Sequence, residues 1–249
     1  MFVAASTDCF PELSLDGACQ RLVELEYTSV EIALHERGNQ LTPSQVFADL
    51  DAAIATCRET YRLNIGAYSV DIDAPENLYY KHFEACCRLA KATKVVAVVI
   101  PGAELGTPFN AEIERLRELV AIGTREGVLV GLKTETGKIT QDPDTTGVLC
   151  DNVKGLGVTL DPSHFIFGPY RSGNYEQLMR HVIHVQLRDT TKDHLQVRVG
   201  QGKVEYGKLV TQLAKHNYNR ALSVHITEMP DVDHSAEMRK MRLLLESLL

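Results

Sequence analysis

Four segments in the second half of the chain each set an aliphatic face against a polar one, and this constrains the fold more than any other feature. They read VLVGLKTETG from Val128, LGVTLDPSH from Leu156, HVIHVQLRD from His181 and ALSVHITE from Ala221. Alternate side chains of a strand point to opposite sides. Val128, Val130 and Leu132 therefore oppose Leu129, Gly131, Lys133 and Glu135, while Val158 and Leu160 oppose Thr159 and Asp161. Ile183, Val185 and Leu187 oppose His184, Gln186 and Arg188, and Leu222, Val224 and Ile226 oppose Ser223, His225 and Thr227. Each polar face carries its ionisable or amide group near the carboxyl end. Such a pattern suits a barrel whose aliphatic faces meet helices and whose strand ends carry the chemistry.

The rest of the chain repeats the alternation. Strands are predicted at Phe2–Thr7, Ser29–Leu34, Leu63–Ile72 and Val95–Ile100. Helices are predicted from Ser14, from Pro43 to about Tyr61, after Pro75, from Asn110 as cap, from Asp142-Pro143 to Gly155, around Tyr175–Arg180, over Val204–His216 and from Ser235. Strands alternating with helices imply parallel pairing. Eight such units in 249 residues match the ~250 of a closed (β/α)8 barrel. No linker or low-complexity stretch interrupts them, so residues 1–249 are expected to form a single (β/α)8 TIM-barrel domain.

Composition narrows the function. The formal charge is −7 and no Lys/Arg run stands out, whereas a nucleic-acid binder needs a basic stripe to neutralise phosphates. No segment approaches the ~18 apolar residues of a membrane span, and the amino terminus lacks the basic region of a signal peptide. The six cysteines have no CxxC spacing, which predicts reduced, buried thiols and a cytoplasmic location.

Several segments resemble the xylose-isomerase-like barrels, a family of sugar-phosphate isomerases and epimerases, keto-sugar epimerases, inosose dehydratases and type-IV apurinic endonucleases. The resemblance rests on Leu25 to Glu31, on Gly127 to Lys133, on the LGVTLDPSH run from Leu156 to His164, and on VQLRD with the later VGQG and VEYGKL. It implies an isomerase or epimerase acting on a sugar-like small molecule, and a homo-oligomer. It also implies one divalent metal, held by Glu, Asp, His and Glu from the last four strands. Those positions here are Lys133, Asp161, Gln186 and His225. Only Asp161 keeps the ligand type, and the two glutamates that are the family's acid/base pair are both replaced.

Two readings of the site stay open. In one, Asp161 and His225, joined by His164 and Glu135, rebuild a site for Mn, Mg or Zn. In the other, metal binding is weak or absent, and Lys133 and Arg188 supply the positive charge that polarises a carbonyl or holds an acidic group. Lys133, Asp161 and His225 are then the candidate catalytic residues; Glu31, Glu135, His164, Gln186 and Arg188 are the candidate substrate contacts. His225 suits proton transfer, and a metal-independent lyase or dehydratase using Lys133 and His225 is an alternative. Lys133 also suits a Schiff base if burial lowers its pKa.

Structural roles compete at each position. Lys133 is expected within a few ångströms of Asp161, and that ion pair can equally plug an inactive barrel that only binds carbohydrate. Glu31 either lines the pocket or pairs with an interior base. His184 reads as a core histidine, Asp189 as a loop brace, and Gly200 and Gly202 as a tight turn rather than a phosphate cradle. Cys9 reads as packing, and His35, His82, His181, His194, His216 and His234 as surface residues. An abasic-site endonuclease is disfavoured, because it needs further histidines and a basic face that the chain lacks.

Overall fold

Parallel strands pair in chain order and close on themselves. In this computed structural model, which describes residues 1–170 and 174–249, the strands are β1 (Phe2–Ser6), β2 (Ser29–His35), β3 (Asn64–Asp71), β4 (Ala97–Ile100), β5 (Leu129–Lys133), β6 (Leu156–Leu160), β7 (Val182–Leu187) and β8 (Ala221–Val224). Each pairs with the next, and β1 pairs with β8 to complete the (β/α)8 barrel. The principal helices are α1 (Leu15–Glu24), α2 (Pro43–Ala48), α3 (Leu50–Arg58), α4 (Glu76–Ala92), α5 (Phe109–Glu126), α6 (Pro143–Asn152), α7 (Ser163–Phe167), α8 (Tyr206–Lys215) and α9 (His234–Glu246). Among the described residues, no helix is long and apolar enough to cross a membrane.

Local chemistry accounts for the helix boundaries. Ser14 Oγ accepts the Gly17 N–H to start α1, and Asp142 accepts from Asp144 and Thr145 ahead of Pro143. The helix expected to run from Pro43 to Tyr61 is two helices. Asp49 leaves the helical conformation (φ −147°, ψ 89°) and its carboxylate accepts the Ala52 N–H, capping α3 afresh. Asn110 is not a cap, because Pro108 precedes the first turn of α5. Apolar helix stripes, such as Leu116, Leu119 and Ile122 of α5, bury against the strands' aliphatic faces. All six cysteines are free and buried. Cys9 donates its S–H to the Val224 carbonyl at 3.4 Å, and burial pushes its thiol up to about 12, which makes it a packing residue.

One predicted face was misassigned. Val158 pairs with Val182, but Thr159 pairs with His184, so β7 carries an extra residue at Ile183. The bulge turns Ile183 away from the helices and into the barrel, over Gly131 and Gly157. A Cβ on Gly157 would collide with Ile183 Cγ2. Gly157→Ala is therefore expected to destabilise the protein by about 1–3 kcal/mol through overpacking. In the Ile183→Ala background the cost of Gly157→Ala should largely disappear in urea unfolding. An equal cost with and without Ile183 would contradict this packing.

Candidate active site

The polar faces meet inside the barrel in two layers. The lower layer joins β2 to β7 across the interior. The Glu31 carboxylate receives His184 Nε2 at 2.6 Å and the Gln186 side-chain N–H at 2.5 Å, and all three residues are fully buried. Glu31 thus pairs with an interior base rather than lining an open pocket. Desolvation pushes its pKa up, but His184 through charge and hydrogen bond, helped by His225, outweighs burial and brings it down to about 2.

The upper layer sits where the strands end. Asp8 lies in a 3-10 turn (Thr7–Cys9) after β1, Lys133 is the last residue of β5, and Asp161, Arg188 and His225 follow β6, β7 and β8 directly. Arg188 ties this layer together. Its Nε donates to Asp161 Oδ2 at 3.1 Å and its Nη2 donates to His225 Nδ1 at 2.5 Å. The other Asp161 oxygen accepts from the Ser163 N–H at 3.0 Å and the Ser163 hydroxyl at 2.5 Å. On its far side, His225 Nε2 meets Asp8 Oδ2 at 3.2 Å.

These contacts set the proton positions. A guanidinium can only donate, so His225 Nδ1 must be the acceptor and Nε2 carries the hydrogen shared with Asp8. Burial pushes the His225 pKa down, and Arg188 and Lys133 add to the effect against the opposing pull of Asp8. The His225 hydrogen bond holds Asp8 far below the usual carboxylate range. His164 Nδ1 accepts the Thr136 N–H at 3.0 Å, which leaves Nε2 as the protonated atom, 3.6 Å from Asp161 Oδ2. Burial lowers the His164 pKa to about 4. Asp161 lies below its ordinary value: burial opposes ionisation, and Arg188, His164, Ser163 and Lys133 overcome it.

The expected Lys133–Asp161 pair does not form. Asp161 is paired with Arg188, and among the described residues no carboxylate lies within 4.0 Å of Lys133 Nζ. Planarity explains the outcome. A guanidinium addresses Asp161 and His225 together, whereas an ammonium is a single point of charge. Lys133 is half-buried and still acts electrostatically on Asp8, Asp161, His164 and His225. Glu135 lies past the end of β5, where its backbone N–H binds Thr140 and its charge acts on His164. The four positions that correspond to metal ligands are therefore committed differently: Asp161 and His225 to Arg188, Gln186 to Glu31, and Lys133 to no carboxylate. Among the described residues, no three His, Cys, Asp or Glu side chains gather as a metal-binding group.

Sequence reasoning missed two residues here. Asp8 had no assigned role, and His35 was expected at the surface. His35 instead ends β2, half-buried, with Nδ1 3.7 Å from Asp8 and Nε2 3.3 Å from Ser69 Oγ. The signal was available: both side chains close the first two strands, as Lys133 closes the fifth. His82 and His234 are also buried, the latter bonded to the Cys9 carbonyl at 2.8 Å. Asp189 braces its loop as expected, accepting the N–H groups of Thr190, Gly200 and Gly202 at 3.1, 2.8 and 2.9 Å. That leaves Gly200 and Gly202 serving a turn, with their donors already taken.

Comparison with known proteins agrees with this architecture. The model of the family described as xylose isomerase-like TIM barrel matches residues 19–246. No curated protein matches the sequence. Among solved structures, a xylose isomerase-like TIM barrel protein from Mycobacterium smegmatis in complex with magnesium superposes with TM-score 0.78 at 13% identity, covering 99% of this chain and 97% of that one. The 3-keto-D-glucoside 4-epimerase from E. coli, in its apo form, gives 0.75 at 15% identity, covering 99% of each chain. A D-tagatose 3-epimerase-like protein gives 0.74 at 17%, covering 100% of this chain and 98% of that one. At these identities the likeness is one of fold.

Proposed function

The chain belongs to the xylose isomerase-like TIM barrel family, and from that premise we propose that it is an isomerase- or epimerase-like enzyme for a sugar-like carbonyl compound. The observation that carries this reading is the convergence of Asp8, Lys133, Asp161, His164, Arg188 and His225 at the carboxyl ends of the strands, where barrels of this kind do chemistry. The sugar epimerases among its structural neighbours support the substrate class.

Lys133, with no carboxylate of its own, donates to the substrate carbonyl and stabilises negative charge as it develops. Asp8 takes the proton from the neighbouring carbon on Oδ1, the oxygen that His225 leaves free, and returns it to that carbon, while the His225 Nε2–H steadies the carboxylate; the Asp8 side chain retains 29% exposure for that contact. Asp161 is fully occupied by Arg188 and Ser163, so it positions Arg188 rather than touching substrate. In this reading the chemistry proceeds without a tightly held metal.

The test is exchange in heavy water. Ketopentoses and ketohexoses incubated with the protein in D2O should gain deuterium beside the carbonyl, read by proton NMR. Lys133→Met should slow that exchange by about a hundredfold, the loss expected for one charge-stabilising donor, with the fold intact by circular dichroism.

A second reading has its own observation. The cavity beside Asp8 and His35 measures about 20 Å³, room for about one water. A larger cavity of about 240 Å³ lies beyond α7, lined by Tyr175, Glu176, Lys203 and Lys208. Sugar binding in this second cavity, away from the polar cluster, suits a carbohydrate-binding barrel that performs no reaction. Binding of a sugar without any deuterium gain would decide for it.

A further inference from the structure

We infer that the Arg188 guanidinium is the resident cation of this barrel mouth, and that it covers a latent divalent-metal site made of Asp161 and His225. The inference concerns the cation and stands whichever sugar-like compound the protein takes.

The two atoms that Arg188 contacts are metal-ligand atoms in the protonation state a metal requires. Asp161 Oδ2 is an ionised carboxylate oxygen and His225 Nδ1 is an unprotonated ring nitrogen, and the guanidinium reaches them at 3.1 and 2.5 Å. Each is oriented from behind as metal ligands usually are. Asp8 fixes the His225 ring through Nε2, and Ser163 fixes Asp161 through Oδ1. The Arg188 side chain is 8% exposed and that of Asp161 is fully buried, so the positive charge is built in rather than draped over the surface.

The surrounding residues do not favour a metal while Arg188 is present. Its two contacts use both ligand atoms. His164 Nε2, the nearest further candidate, carries a hydrogen because its Nδ1 accepts from Thr136. Lys133 adds positive charge where the family resemblance implies a carboxylate. A divalent ion would have to displace one cation and tolerate another. Removal of the guanidinium reverses the balance, since it leaves Asp161 charged, fully buried and without a cationic contact.

The experiment uses Co2+ as the probe, followed by its visible absorption and by titration calorimetry. The parent should show no saturable binding. Arg188→Gly should bind Co2+ at least tenfold more tightly than the parent, and Asp8→Asn in that background should weaken binding by roughly tenfold to a hundredfold, the usual effect of losing an outer hydrogen-bond partner. Lys133→Glu alone should gain no affinity because Arg188 still holds both ligand atoms. Lys133→Glu combined with Arg188→Gly should bind more tightly than Arg188→Gly. Equal Co2+ binding by Lys133→Glu and the double variant would overturn the inference, as would Arg188→Gly binding no better than the parent. If Arg188→Gly does not fold, NMR of the parent decides. Paramagnetic Co2+ should leave the Arg188 Nε–H and His225 signals sharp, and their stoichiometric broadening would overturn the inference.

Discussion

Asp161→Ala is expected to destabilise the protein by about 3–5 kcal/mol, the usual cost of removing one partner from a buried ion pair. The substitution strands Arg188, which keeps only the His225 acceptor, and it deprives Ser163 of the carboxylate that takes both its N–H and its hydroxyl. The remaining charge cannot reach water easily, because the Arg188 side chain is only 8% exposed. Arg188→Met added to Asp161→Ala should then cost less than the two single changes summed, because neither charge is left alone. Urea unfolding of the four proteins measures the coupling. Additive losses, or a loss under 1 kcal/mol for Asp161→Ala, would show that the pair does not hold the mouth together.

Acid should weaken the fold in two separable stages. His164 is buried as a neutral ring with a pKa lowered from 6.5 to about 4. The unfolded chain therefore takes up this proton before the folded one does. Stability from His164 is fully present above pH 6.5 and is lost as pH falls through that value towards 4. The size is about 3 kcal/mol, from roughly 1.4 kcal/mol per unit. Glu31 acts lower down. Its pKa falls from 4.5 to about 2, so its contribution is present above pH 4.5 and is lost as pH falls towards 2. Asp161, also lowered, adds to this second stage.

His164→Asn separates the two. The Asn carbonyl can accept the Thr136 N–H in place of Nδ1, while the titrating ring is gone. Denaturation midpoints against pH should lose much of their slope between 6.5 and 4 in this variant, the rest coming from His225, whose pKa burial also lowers, and should still fall below 4.5. An unchanged slope in the upper window would mean that His164 is not the group responsible.

Period-two alternation makes the barrel legible in the sequence itself. It assigned Val130, Leu132, Val158, Val185 and Val224 to the helix-packed side, and Lys133, Asp161, Arg188 and His225 to the polar side at the strand ends. Cysteine spacing anticipated six free, buried thiols, and Asp189 as a loop brace and Gly200 and Gly202 as a turn were each readable from local sequence, while the bonds that join them are a feature of the fold. Alternation stops being informative where register or reach decides. Ile183 was misplaced because a bulge is invisible to simple parity, and the Glu31–His184 bond spans 153 residues and the width of the barrel. Asp8 and His35 gained their roles only when β1 closed against β8 and β2. The cation on Asp161 was decided the same way. The sequence by itself determined that Lys133 and Arg188 would both face the mouth; the tertiary structure chose Arg188, because its flat, forked head reaches Asp161 and His225 together and the point charge of Lys133 cannot.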